Sequence, residues 1–374
     1  MNILYLGPSH YLSSLFIQGW KNAFEALGYG FTHLDPTQAP VSSWISSQNP
    51  ELILTNSGEG LLSLAPEQIN QQGCTVVVGA LPANRWKASF DPHTPLADPQ
   101  EIAILSQLER RLVWSQHEPY LYPFFYQDYL EQSISVLYLP YAADITTLQP
   151  LEFQEIPIND FLFIGNLAHR KKGNLPLLDR LFQKIDPQRV EVFGDPLWQK
   201  RYHIQSQILP LDPSWHQRYQ QAAIAPNLHS WRQKKRMIQV NNRTFDIPLY
   251  GGFQITDHPL AAKFFDPNEI CIASTPAEFQ ERFFYYLQRP EQRKKQIEAA
   301  RLRLCQDHSY FNRIAAIFDS LGDSSPVTWK GTTYRATTYP AYPEPSLSQA
   351  EQLGWTAQAQ FYHWARKLKQ ALKR

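Results

Sequence analysis

Short apolar runs alternate along the chain with longer stretches in which apolar residues recur every three or four positions. The first pattern predicts strands, the second amphipathic helices, and their regular alternation is the signature of an α/β protein. In the first half the strand candidates are residues 2–6, 51–55, 75–78, 111–114 and 135–138, with a helical pattern over 13–27. Runs without a polar interruption, such as Val76-Val77-Val78, fit a parallel sheet covered on both faces. The series then restarts. Residues 160–164, 189–193, 222–226, 253–256 and 269–272 predict a second doubly wound sheet, completed by helices over 276–288 and 290–307. The boundary is expected near 146–157, where Pro150 and Pro157 and several acidic residues read as a linker.

After Gly322 the periodicity fades. Residues 325–346 are rich in Pro, Thr and Tyr and are expected to run extended across a surface, and 347–372 to form a last helix. That helix ends in the basic run from Arg366 to Arg374. Cations suit a helix C-terminus, so it either docks on the body or lies against a membrane surface. The expected organisation is thus 1–148, 149–322 and a tail of 323–374.

Composition narrows the function classes. A chain of 374 residues is longer than one core usually serves, and 43% apolar residues suffice to fill two. The net charge of +1 gives no field that would gather nucleic acid, so no nucleic-acid partner is expected. Cys74, Cys271 and Cys305 are odd in number, widely spaced and without a CxxC pair. They read as free thiols of a reducing compartment, which points to a cytoplasmic protein, peripheral to a membrane if the basic terminal helix touches one. No stretch of about 20 apolar residues spans a bilayer, and residues 1–9 read as a strand running into a turn and not as a signal peptide.

Ligands of open α/β sheets bind beyond the carboxyl ends of the strands, so each strand-to-loop junction is a candidate site. The first is Gly7-Pro8-Ser9-His10, where Gly7 allows close backbone approach and His10 is either a base or sugar contact or an ordinary loop histidine. The second is Gly165-Asn166, followed by His169-Arg170-Lys171-Lys172-Gly173. Backbone N–H groups beside basic side chains suit a diphosphate, although a solvated basic loop has the same composition. The third spans 241–257. Asn241 or Asn242 is expected to cap a helix that ends at Gly251-Gly252, with a strand following at once. Arg243 in the first turn opposes the helix dipole, which is easier to understand if an anion binds there. Thr244 shares that turn, and Asp246 lies one turn further in, where a carboxylate can accept from a ribose diol.

These residues carry a resemblance. Arg243-Thr244-Phe245-Asp246, Gly252-Phe253, Thr256-Asp257, Tyr285-Tyr286-Leu287, Pro290-Glu291, Arg293 and His308…Arg313 resemble the C-terminal half of the CgeB-type glycosyltransferases, among the group 1 transferases of the GT-B fold. Phe163-Ile164-Gly165-Asn166 with Arg170, and Tyr138-Leu139-Pro140-Tyr141-Ala142-Ala143-Asp144, are similar to two further family stretches. The likeness covers about 140–322, and in the first domain extends only to the strand pattern. It implies two Rossmann-like domains facing across a cleft, with an added C-terminal segment and helix. It also implies a metal-independent hexosyltransferase that uses a nucleoside-diphosphate sugar, UDP-sugar favoured, as co-substrate and no cofactor. The acceptor is a glycan, lipid or protein. By that resemblance Gly165, Asn166, Arg170, Lys171, Asn241, Asn242, Arg243, Thr244 and Asp246 bind the donor. Arg170, Lys171 and Arg243 neutralise the leaving diphosphate together with the helix N-terminus, and Asp246 holds the ribose. His10 is the candidate base, with His117 and Asp91 as rivals, although in retaining transferases of this type the leaving phosphate can itself take the acceptor proton.

One departure stands out: the family has Glu where this chain has Asp246, with the five-residue spacing to Gly251 retained. The shorter side chain leaves a second reading open, a catalytically inactive GT-B-like nucleotide-binding or scaffold protein. A nicotinamide-dependent enzyme would need GxGxxG after the first strand, and Gly7-Pro8-Ser9 does not supply it.

Overall fold

A computed structural model describes residues 1–8, 11–38, 40–56, 58–79, 98–116, 123–170, 174–208, 216–230, 233–234 and 239–339. The described chain divides into two compact units, the first drawn from residues 1–140 and 314–335, the second from 141–313 and 336–339.

The first unit holds a six-stranded sheet of β1 (Asn2–Leu6), β2 (Gly30–Leu34), β3 (Leu52–Thr55), β4 (Thr75–Gly79), β5 (Arg111–Ser115) and β6 (Val136–Tyr138). All its pairings are parallel, in the order β2-β1-β3-β4-β5-β6. Helix α1 (Tyr11–Ala26) makes the first crossover. Leu4, Leu6, Ile53, Val76, Val78 and Val113 join one buried cluster, as expected of uninterrupted apolar strands with both faces covered. Sequence periodicity does not anticipate β2, whose residues Gly-Phe-Thr-His-Leu are only partly buried at the sheet edge.

The second unit holds β7 (Asn159–Ile164), β8 (Val190–Phe193), β9 (Ser206–Gln207), β10 (Ala222–Asn227), β11 (Gln254–Thr256) and β12 (Cys271–Ile272). These are again parallel, in the order β12-β11-β10-β7-β8-β9. From β7 the chain winds outward through β8 and β9, then returns to β10 on the other side of β7. The two central strands are therefore β7 and β10, and the direction of winding reverses between them. Helices α2 (Leu175–Phe182), α3 (Arg243–Leu249), α4 (Pro276–Leu287) and α5 (Pro290–Asp307) accompany the sheet. Thr275 starts α4 by accepting the Glu278 N–H at 3.2 Å, with Pro276 in the first helical position. Phe161, Phe163, Val192, Ile224, Ile255, Phe279 and Phe283 fill the core.

Two resemblance motifs meet inside the second unit. Ala143 donates to the His308 carbonyl at 2.7 Å, and Arg313 Nη2 donates to the Tyr141 carbonyl at 2.8 Å. Residues 325–346 were expected to run extended. Within them lies an antiparallel hairpin of β13 (Val327–Trp329) and β14 (Thr332–Tyr334), because Lys330 and Gly331 both take positive φ, as a tight hairpin turn requires. The terminal helix expected over 347–372 lies outside the described residues.

Candidate functional site

The winding reversal puts a topological switch point at the carboxyl ends of β7 and β10, the place where open α/β sheets bind ligands. Arg243 sits there. Its Nη1 donates to the carbonyl of Ile164, the last residue of β7, and its Nη2 to the carbonyl of Leu228, one residue past β10, both at 2.8 Å. The guanidinium lies over the Phe163 ring, 5.0 Å from its centroid. Gly165 takes a φ of +153°, and a Cβ there would meet the Phe163 ring at 3.1 Å and Arg243 Nη1 at 3.4 Å. Both conformation and space therefore call for glycine. No carboxylate lies within ion-pair distance of Arg243 among the described residues, and burial lowers the pKa of its guanidinium. Two of its five N–H donors are committed to carbonyls.

The segment leading into α3 is tied down by polar contacts. Asn227 Nδ2 donates to Thr244 Oγ1 at 3.0 Å and to Gln254 Oε1 at 3.1 Å, and Gln254 Nε2 donates to the Thr244 carbonyl at 2.9 Å. Thr244 is thus buried, with its hydroxyl on Asn227. Asp257, at the end of β11, accepts four hydrogen bonds. Its Oδ1 takes the His229 N–H at 2.8 Å and His229 Nδ1 at 3.0 Å; its Oδ2 takes Asn174 Nδ2 at 2.6 Å and Lys234 Nζ at 2.7 Å. Burial pushes the Asp257 carboxyl up, but the hydrogen bonds from His229 and Lys234 and the Lys234 charge outweigh it and hold the pKa well below the usual range. His229 Nε2 accepts the Asn241 N–H at 3.2 Å, so the ring proton sits on Nδ1.

The expected capping is not what forms. Asn242 occupies the N-cap, yet its amide donates to Asp246 Oδ2 at 3.0 Å and makes no side-chain cap. The Thr244 and Phe245 N–H groups turn back to the Asn241 and Asn242 carbonyls, and Asp246 N–H also goes to Asn242. With seven residues in α3 and these donors engaged, positive potential at this end comes from Arg243 more than from the backbone. Burial pushes the Asp246 carboxyl up to about 7; the Arg243 charge opposes the rise and the like charge of Asp144 adds to it. Tyr250, at the C-cap of α3, stacks on His216 with centroids 3.6 Å apart and an 11° interplanar angle.

Of the residues singled out by sequence, Gly165, Asn241, Arg243, Thr244 and Asp246 cluster at this end of the sheet, and Asn166 and Asn242 are exposed there. Arg170 closes the short helical turn Leu167–Arg170, but its side chain, and all of Lys171, His10, His117 and Asp91, lie outside the described residues. Sequence reading did not single out His229, Lys234, Asn174 or Asn227. The signal for His229 was its place two residues beyond a strand end.

Residues 170–319 match a family model described as glycosyl transferase-like. The matched segment is less than half of the chain. The resemblance to CgeB-type transferases read from the motifs is thereby met. No curated protein matches the sequence. Among solved structures, the sucrose-phosphate synthase of Thermosynechococcus elongatus aligns with a TM-score of 0.56 at 10% identity, covering 87% of this chain and all (100%) of that one. A DNA-modifying β-glucosyltransferase, solved with and without uridine diphosphoglucose, aligns at 0.49 and 10% identity over 82% of this chain and 94% of its own. The glycosyltransferase VinC in complex with dTDP aligns at 0.46 and 12% identity, over 86% and 100%. Two parallel six-stranded α/β sheets make the fold GT-B. The first sheet departs from the second in order: it winds as 2-1-3-4-5-6, where the second, counted from its own first strand, winds as 3-2-1-4-5-6.

Proposed function

We propose that this protein is a glycosyltransferase that moves a hexosyl group from a nucleoside-diphosphate sugar, UDP-sugar favoured, to a glycan, lipid or protein acceptor. The observation that carries the reading is Arg243: a half-buried cation with no carboxylate within ion-pair distance among the described residues, bridging the carboxyl ends of the two strands between which winding reverses. A desolvated guanidinium is stabilised by an anion, and a diphosphate matches its planar fork. In transfer the acceptor oxygen bonds to the sugar's anomeric carbon as the bond from that carbon to the phosphate oxygen breaks. The electron pair leaves with the diphosphate, whose charge grows, so Arg243 and the cationic loop at Arg170 and Lys171 act most strongly in the transition state. Asp246 accepts from the ribose hydroxyls. The acceptor proton passes to a base, for which His10 is the candidate, or to the leaving phosphate.

The reading is tested by melting the protein with UDP, GDP, ADP and dTDP. One of them, at about a hundred times its dissociation constant, should stabilise the fold by roughly 2.7 kcal/mol. If none shifts the transition, the donor site is refuted.

A further inference from the structure

Asn241 is only 7% exposed, and neither its buried Oδ1 nor its buried Nδ2 has a hydrogen-bond partner among the described residues. Leaving a buried amide so is unfavourable, and such groups in native folds usually await a ligand or an ordered water. The main chain of the same residue is firmly held. Its N–H donates to His229 Nε2 at 3.2 Å and its carbonyl accepts from Thr244 N–H at 3.1 Å. His229 is in turn fixed by the Asp257 carboxylate, which Lys234 and Asn174 also grip. The fold therefore sets the backbone of Asn241 and leaves its side chain unanswered.

We propose that Asn241 reads adjacent hydroxyls of the transferred sugar, and that His229 is a positioning residue acting through it; this rests on the donor-site reading above. The amide sets one acceptor beside two donor hydrogens, and a vicinal diol returns the same complement, since each hydroxyl both donates and accepts. Order along the chain assigns the sugar and not the base. Asn241, Arg243 and Asp246 follow one another over a span of roughly 7 Å at helical rise. Sugar, diphosphate and ribose follow one another in the same sense along the donor.

Calorimetric titration of four pairs tests this: UDP with UDP-glucose, GDP with GDP-mannose, ADP with ADP-glucose and dTDP with dTDP-glucose. In Asn241→Leu the sugar nucleotide of the bound pair should weaken by roughly tenfold or more, while its nucleoside diphosphate stays within about twofold of wild type. The ligand-free variant should melt no lower than wild type, because an unpaired polar group has been replaced by an apolar one. His229→Asn keeps a donor toward Asp257 but loses the acceptor for the Asn241 N–H, and should show the same selective loss. If Asn241→Leu does not fold, Asn241→Ala carries the same comparison. Equal effects on both members of the pair, or none, overturn the role of Asn241. Selective loss in the Asn241 variant but not in His229→Asn overturns the positioning role. Wild-type protein that binds none of the diphosphates refutes the donor site itself, a separate outcome.

Discussion

The two sheets share their parallel build but differ in what stands at the carboxyl ends of their central strands. In the first, where winding reverses between β1 and β3, the described contacts are hydrogen bonds without a carboxylate: Tyr5 donates its hydroxyl to Asn56, and His33 Nε2 hydrogen-bonds the Gly7 carbonyl at 2.7 Å. A Cβ on Gly79 would meet the Trp114 ring at 3.0 Å and Asn56 Cβ at 3.1 Å, so aromatic and amide surfaces pack closely there. In the second, charges are partly or wholly withdrawn from water: Arg243 over Phe163, Asp257 among four donors, and Asp246 with its carboxyl pushed up to about 7. Desolvating charge is unfavourable, and folds retain it where a charged ligand or reaction uses it. Two parallel sheets thus differ, among the described residues, in the side chains at their carboxyl ends, which strand direction does not decide.

The largest expected effect sharpens that contrast. Asp257→Ala strips a buried carboxylate from His229, Lys234 and Asn174 and should cost on the order of 3–5 kcal/mol in stability. Tyr5→Phe, which removes one neutral hydrogen bond from the first sheet, should cost about 1 kcal/mol. Comparable losses in denaturant melts would erase the distinction.

Arg243→Ala should lower single-turnover transfer on the order of a hundredfold. It should also lower stability by about 1–3 kcal/mol, because the Ile164 and Leu228 carbonyls lose their donors. Arg243→Lys should recover only part, since a point charge cannot bridge both carbonyls and a diphosphate. A normal rate in the folded fraction would reduce Arg243 to a strut between two strands.

The smallest effect is a pH dependence. The folded pKa of Asp246 lies above its unfolded value, so its favourable contribution is complete below about pH 4 and is lost as pH rises toward about 7. Asp246→Asn, uncharged throughout, should therefore melt higher than wild type at pH 8, by on the order of 1–3 kcal/mol, with the gap closing toward pH 4. UDP-glucose affinity of the wild type should rise through pH 7 as the carboxylate forms. A pH-independent difference would show that folding leaves the Asp246 pKa unshifted.

Sequence alone determined much of this molecule. Apolar runs such as Val76-Val77-Val78 and Phe161-Leu162-Phe163 marked central strands, because a strand buried on both faces admits few polar residues. Edge strands β2 and β9 went unseen because one is half polar and the other two residues long. The run from Asn241 to Asp257 was legible as a site because Arg243 contradicts the local helix dipole, and a residue that violates a local rule points to a cause elsewhere. Only the tertiary structure decided what that cause touches. Strand order depends on which way each crossover turns, not on the residues of the strand, so the meeting of Ile164 and Leu228 beneath Arg243 could not be read from spacing. Nor could the bond from Asp257 to His229, 28 positions apart, since hydrogen bonds between strand ends are set by where the sheet brings them and carry no local pattern.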